Sequence, residues 1–327
     1  MRWWDALTAA GVTPASYVPP AAVGRTDVDD GALPGADLVE GSAMAVHPVG
    51  DAAVPASVSF LDGIEQWRVI GYDGVLPIVR AYVAAAVRRR GADRRLHTVF
   101  EASRDIAVAP LSALAPDRRR VLEASCRDVV EIALEENAQP ARVLELARRA
   151  VDAARANVER GLAERCLDAL SGHEWLVVDG LLSVSARLAR HPRALGVIKS
   201  HGAQFFAGTE LERALTVPAE HRTSVFRARG GHARNEVYSW YLRLWPWEGN
   251  DLLYGLLRIE ARADAATIAQ ANAVSAWLVR ERAPISAPDA RWDRLLYPIH
   301  DVETYLKARA PRDLRFAPGS RLPRTGT

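Results

Sequence analysis

The chain has 327 residues, 49% of them hydrophobic, 25% charged and 7% aromatic, a globular composition that excludes disordered, collagen-like and coiled-coil classes. Its 42 basic and 40 acidic residues leave a formal charge of +2, so any site for a polyanion must be local. Cys126 and Cys166 form no CxxC pair and have no His cluster nearby, which argues against a zinc site or a disulfide framework. No run approaches the ~18 apolar residues of a membrane span, and Asp5 interrupts the amino terminus. The expectation is a soluble, cytoplasmic protein with no membrane segment.

In chain order, residues 1–57 read as an irregular amino-terminal arm, crowded with Pro, Gly, Ala and Asp from position 13 onward. Residues 58–327 read as one domain. It opens with three β-type runs, Val58–Leu61, Gln66–Tyr72 and Leu76–Val87, whose short breaks favour an antiparallel meander. The alanine-rich end of the third fits a helix as well. A strand-like run follows at Leu96–Phe100.

From Pro140 to Leu170 the apolar residues recur at spacings of three and four, which predicts one long amphipathic helix, spanning the domain or kinked near Gly161. Next come the strand WLVV before Asp179-Gly180, a short helix, the strand ALGVI before Lys199, and β-biased stretches at Thr223–Ala228, Val237–Trp245 and Leu252–Ala261. A helix from Asp264 to about Arg282 precedes the segment RLLYPIHDVETYLKARA. This order describes an α/β fold, one mixed sheet covered by helices.

Two strand candidates end alike, VSFL in Asp62-Gly63 and WLVV in Asp179-Gly180. An acid at the end of a buried apolar strand is costly unless it is paired or holds a cation, although Asp-Gly is also a common turn. If the strands are neighbours, their spacing of about 4.8 Å brings both carboxylates within reach of shared Mg²⁺ or Mn²⁺ ions. Lysine supplies a second clue. Only Lys199 and Lys307 occur beside 40 arginines, so the surviving lysines mark positions where a compact ammonium serves and a planar fork does not.

The chain resembles the NurA nucleases, which pair with HerA-type DNA-translocating ATPases. The resemblance rests on FLDG at 60–63, NVERGLAERCLDAL at 157–170, VVDGLL at 177–182, GVIKS at 196–200, YLRLWPW through LLRIEAR at 241–262, and LLYPIHDVETYL at 295–306. It implies an RNase H-like fold, a homodimer, a hexameric HerA-like partner, and cleavage of DNA dependent on Mn²⁺ or Mg²⁺. Carried over by position, the family's first and second aspartates fall on Asp62 and Asp179, with a helix glutamate between them.

Glu159 and Glu164 compete for that role. Counted around the helix, Glu159 lies about 80° from the centre of the apolar stripe and Glu164 about 140°, so Glu159 is preferred. Lys199 matches a basic position suited to a phosphate oxygen. Tyr297 and His300 match a carboxy-terminal motif, with His300 a further metal ligand or a proton carrier. Two departures stand out: Ile64 and Leu181 occupy positions where the family prefers Ser. An incomplete acidic set would leave a catalytically silent DNA-binding or scaffold subunit. The aromatic stretch Trp240–Trp247 suits single-strand stacking, and the clusters Arg88–Arg90, Arg94/Arg95 and Arg118–Arg120 suit phosphate contact.

Overall fold

The computed structural model describes residues 3–14, 35–134, 139–201, 203–229, 235–248, 250, 252–283 and 292–314. Positions 1–2 and 15–34 of the expected arm lie outside them. The elements are α1 (Trp3–Ala9), β1 (Thr13–Pro14), β2 (Ala36–Leu38), β3 (Val46–Pro48), β4 (Val58–Asp73), β5 (Leu76–Arg90), β6 (Leu96–Ala109), α2 (Pro116–Ser125), β7 (Val129–Glu131), α3 (Pro140–Ala169), β8 (Trp175–Asp179), α4 (Ala186–Arg190), β9 (Ala194–Ile198), α5 (Gly208–Leu215), β10 (His221–Thr223), β11 (Phe226–Ala228), β12 (Val237–Arg243), β13 (Leu256–Arg262), α6 (Ala265–Arg280) and α7 (Tyr297–Arg309).

The fold is mixed α/β, with one large sheet in the order β2-β11-β12-β13-β9-β8-β4-β5-β6-β7. Strands β4, β5 and β6 form an antiparallel meander. β8 then adds parallel to β4, β9 parallel to β8, and β13 antiparallel to β9. None of the described helices is long and apolar enough to cross a membrane.

Helices cover both faces. On one, Leu162, Ala163 and Cys166 of α3 pack on Leu61, Ala85, Val87, Leu176 and Val178, while the amino-terminal half of α3 packs on Val79, Ala81, Val83, Ile106 and Val108. On the other, α6 and α7 pack through Val274, Leu278, Ile299, Val302 and Leu306 on a core containing Phe60, Ile64, Ala84, Ala86, Val177 and Val197. This explains the alanine run of β5. Buried on both faces, it is strand because small side chains let a helix approach from each side, and that packing overrides alanine's helical preference.

Several boundaries differ from those read in the sequence. The runs Val58–Leu61 and Gln66–Tyr72 are one continuous strand, because Asp62-Gly63 keeps extended pairing with Ala86 and Ala85 instead of turning. The strand expected at Leu96–Phe100 continues to Ala109. The long helix is a single element through Gly161. The described parts of the arm are not wholly irregular: α1 packs with α2, and β1, β2 and β3 pair with β4, β11 and β10. Helices α2 and α5 gave no periodic signal long enough to read.

Candidate functional site

The site forms where β8 ends beside the middle of β4. Parallel register sets Leu61 against Val178, so the next residue on each strand, Asp62 and Asp179, comes level with the other. By strand alternation Asp62 shares the face of Phe60 and Ile64, and Asp179 that of Val177, all on the side covered by α6 and α7. Asp62 is buried at 7% exposure, and its Oδ1 accepts a hydrogen bond from the Gly63 amide at 2.7 Å. Burial above all, then the charges of Asp179 and Glu159, pushes its carboxyl well above the usual range, with Lys199 and the Gly63 amide opposing.

Glu159 reaches the same place from α3, on the opposite side of the sheet. A Cβ at Gly63 would stand 2.8 Å from both Cγ and Cδ of Glu159, so the missing side chain at Gly63 leaves the space that Glu159 occupies, near enough for its charge to act on Asp62. Burial pushes Glu159 up to about 7, against the downward pull of Arg155, and Asp179 and Glu65 raise it further. Arg155 donates to Glu159, to Glu65 Oε2 at 3.3 Å and to Asp152 Oδ1 at 3.2 Å. Lys199 follows β9 and stands with its Nζ 2.7 Å from Asp179 Oδ2.

The turn after β8 is built tightly. Gly180 has φ +137°, a conformation that L side chains rarely adopt. Its carbonyl passes so close to β9 that a Cβ at Gly196 would lie 2.6 Å from it. Beyond the turn, Glu260 Oε2 accepts from the amides of Leu182 at 2.9 Å and Ser183 at 3.3 Å, while its Oε1 pairs with Arg258 at 2.8 Å. The chain leaving Asp179 is thereby fixed by a buried ion pair.

Of the residues expected from sequence, the structure brings together Asp62, Glu159, Asp179 and Lys199. Glu164 accepts from Ser185 Oγ at 2.6 Å and so faces the start of α4. Tyr297 and His300 lie in the first turn of α7, which packs on β4 and β5. Tyr297 is 51% exposed, and His300 Nε2 is 3.3 Å from Thr304 Oγ1. The charges that act most on Asp62 and Glu159 come from Asp179, Lys199, Arg155 and Glu65, together with each other.

Two expectations are corrected in part. In the aromatic stretch, Trp240, Tyr241, Leu242, Arg243 and Leu244 are buried in the core, because β12 lies inside the sheet between β11 and β13. Arg243 there donates to the carbonyls of Val217, Leu215, Leu252 and Tyr254. Of the clustered arginines, Arg88, Arg89, Arg90 and Arg118 pair with Asp301, Glu174, Glu281 and Asp73 elsewhere in the fold, whereas Arg119 and Arg120 make exposed pairs within α2 with Glu123 and Asp117.

Sequence reading missed Gly63, Arg155 and Glu260 as parts of the site. Signals for two of them were present. Arg155 precedes Glu159 by one helical turn, and Glu260 is an acid inside an apolar strand, the same sign that picked out Asp62.

Among the described residues, no group of three or more His, Cys, Asp or Glu side chains stands as a ready-made metal cage. The donor set nevertheless suits a hard cation. Carboxylates from β4, β8 and α3 lie close enough for their charges to act on one another, and Asp62, the most buried of them, has no ion pair of its own among the described residues while Lys199 and Arg155 pair with Asp179 and Glu159; ions of the Mg²⁺ type are held by one or two carboxylates together with waters and substrate phosphates. No family model matches the chain, and no curated protein matches it.

Proposed function

We propose that this chain is a divalent-metal-dependent deoxyribonuclease with an RNase H-like core, working beside a HerA-type DNA-translocating ATPase. The observation that carries the reading is the meeting of Asp62, Asp179 and Glu159 from three separate elements, with Lys199 at the edge. The path β6-β5-β4-β8-β9, an antiparallel meander followed by two parallel strands with α3 preceding β8, supports the fold assignment. So does the resemblance of the short motifs, each of which lies on one of these elements or on the adjoining β12, β13 and α7.

In this reading Asp62, Asp179 and Glu159 would hold Mn²⁺ or Mg²⁺. Bound divalent cations supply Lewis acidity for phosphodiester hydrolysis, activating the attacking water and neutralising charge on the leaving oxygen. The protein's own part is positional. Gly63 admits Glu159, the Gly63 amide orients Asp62, and the Glu260 anchor fixes the chain after Asp179. Lys199, its side chain 15% exposed, sits where an ammonium can pass from Asp179 to a phosphate oxygen of bound DNA. Tyr297 and His300 are assigned by motif alone, His300 to metal binding or proton transfer.

A second reading, a silent DNA-binding or scaffold subunit, is favoured by one observation: Lys199 and Arg155 already neutralise Asp179 and Glu159. Calorimetric titration with Mn²⁺ separates the two. Wild type is expected to bind with a measurable heat that Asp62→Ala abolishes, together with Mn²⁺-dependent cleavage of labelled DNA. Equal heats for the two proteins remove the metal-site reading. Light scattering tests the proposed homodimer, expected near 71 kDa (2 × 35.7).

A further inference from the structure

Arg155 is the group on α3 that the proposed chemistry leaves unused. It lies one turn before Glu159 on the same helix and is ion-paired with it. The remaining atoms of its guanidinium are also committed, Nε to Glu65 Oε2 at 3.3 Å and Nη2 to Asp152 Oδ1 at 3.2 Å. Glu65 belongs to β4, three residues beyond Asp62, while Asp152 belongs to α3. The fork therefore ties the strand that carries Asp62 to the helix that carries Glu159.

A flexible glutamate that must pass through the gap at Gly63 has several rotamers that miss it, and fixing one of them costs side-chain entropy. A planar guanidinium already held by two other carboxylates has lost that freedom in advance, and it presents a fixed direction to the third. We infer that Arg155, anchored by Glu65 and Asp152, is a positioning residue that holds the Glu159 carboxylate at the cation site and so sets its affinity for divalent metal. The inference rests on the reading of Asp62, Glu159 and Asp179 as a divalent-cation site.

Metal affinity distinguishes this role from simple stabilisation. A salt bridge that only ties α3 to β4 would, when removed, lower melting temperature and leave metal affinity alone. A partner that orients a ligand changes affinity, by about 10- to 100-fold when lost. Because the anchors act through Arg155, losing an anchor after Arg155 is gone should have no further effect on affinity.

The test is calorimetric titration of the full chain with Mn²⁺, using wild type, Asp62→Ala, Arg155→Gln, Glu65→Gln and the double variant Glu65→Gln/Arg155→Gln, with circular dichroism and thermal melting of each. Arg155→Gln is expected to weaken Mn²⁺ binding about 10- to 100-fold, Glu65→Gln to weaken it less, and the double variant to match Arg155→Gln. Unchanged or tighter Mn²⁺ binding in a folded Arg155→Gln protein overturns the inference. If Arg155→Gln does not fold, Glu65→Gln decides alone, and unchanged affinity there overturns it. Wild type that binds no Mn²⁺ removes the metal-site reading itself. Binding lost in Asp62→Ala but retained in Arg155→Gln removes only the role of Arg155.

Discussion

Glu159 occupies the space that a side chain on Gly63 would fill. The two residues come from opposite layers, one from the helix α3 and one from the middle of β4, and their complementarity is what brings a carboxylate from the helix side near enough for its charge to act on Asp62. The glycine in this Asp-Gly pair is thus explained by close approach and not by a turn.

Gly63→Ala is therefore expected to keep the fold, since residue 63 is in ordinary extended pairing with Ala85, while displacing Glu159. A misplacement of about 1 Å at a reacting centre costs roughly 100-fold in rate. Mn²⁺-dependent DNA cleavage should fall by about that factor while the circular dichroism spectrum is unchanged. Wild-type rates in this variant would show that Glu159 has no part in the chemistry.

Asp179→Asn should abolish cleavage and leave DNA binding and melting temperature nearly as they are, because size is kept and only the charge is lost. Lys199→Arg should also impair cleavage although charge is conserved. The ammonium fits between Asp179 and the site at 2.7 Å, and a broad planar fork does not replace a point charge in a confined space. Single-turnover assays on a labelled duplex measure both, and wild-type rates for Lys199→Arg would return Lys199 to a structural ion pair.

Stability should depend on pH through Glu159. Its folded pKa is raised from 4.5 to about 7, chiefly by burial. A group raised in this way contributes stability below its unfolded value, and that contribution is lost as pH rises through the folded value. Glu159→Gln should therefore melt close to wild type near pH 4.5 and increasingly above it as pH approaches about 7. Excess Mn²⁺ should reverse the order at neutral pH, because it stabilises only the protein that keeps the ligand. Thermal melts of both proteins across pH, with and without MnCl₂, check this. A constant difference across the range would contradict the burial of an ionisable Glu159.

Glu260→Ala should destabilise the protein by about 3–5 kcal/mol, the usual cost of leaving one partner of a buried pair uncompensated. Arg258 and Glu260 are 6% and 2% exposed, and the loss also frees the amides of Leu182 and Ser183. Replacing both partners by Leu should recover part of that stability, since no charge is then left buried, but should not recover the position of the chain after Asp179. Urea unfolding measures the first effect and Mn²⁺ affinity the second.

Much of the fold was legible because its signals are local. The α3 stripe, with Pro140 at its start, and the Asp264 cap of α6, whose side chain accepts from the Thr267 amide at 2.8 Å, follow from neighbours a few residues apart. Helix geometry also separates Glu159, which lies over Gly63 of the sheet, from Glu164, which accepts from Ser185 at the start of α4. What misled was burial on two faces. β5 carries an alanine run that fits a helix as well as a strand, and β4 carries an Asp-Gly that reads as a turn, because periodicity does not report which layers lie above and below a strand.

The sequence by itself determined the chemistry available: two Asp-Gly aspartates on apolar strands, a helix glutamate flanking a packed stripe, and a lysine kept in an arginine-rich chain. It also determined the α/β class, since alternating periods of two and near 3.6 need no tertiary information. Only the tertiary structure decided that β8 lies parallel to β4 in the register that sets Asp62 beside Asp179. The same holds for the packing of Glu159 over Gly63, for the burial of Trp240 and Arg243 within the core, and for the capture of Arg88, Arg89, Arg90 and Arg118 by carboxylates elsewhere in the fold. Each depends on contacts between residues far apart in the chain, and the pairing register and helix packing that create those contacts are settled by the collective burial of apolar faces.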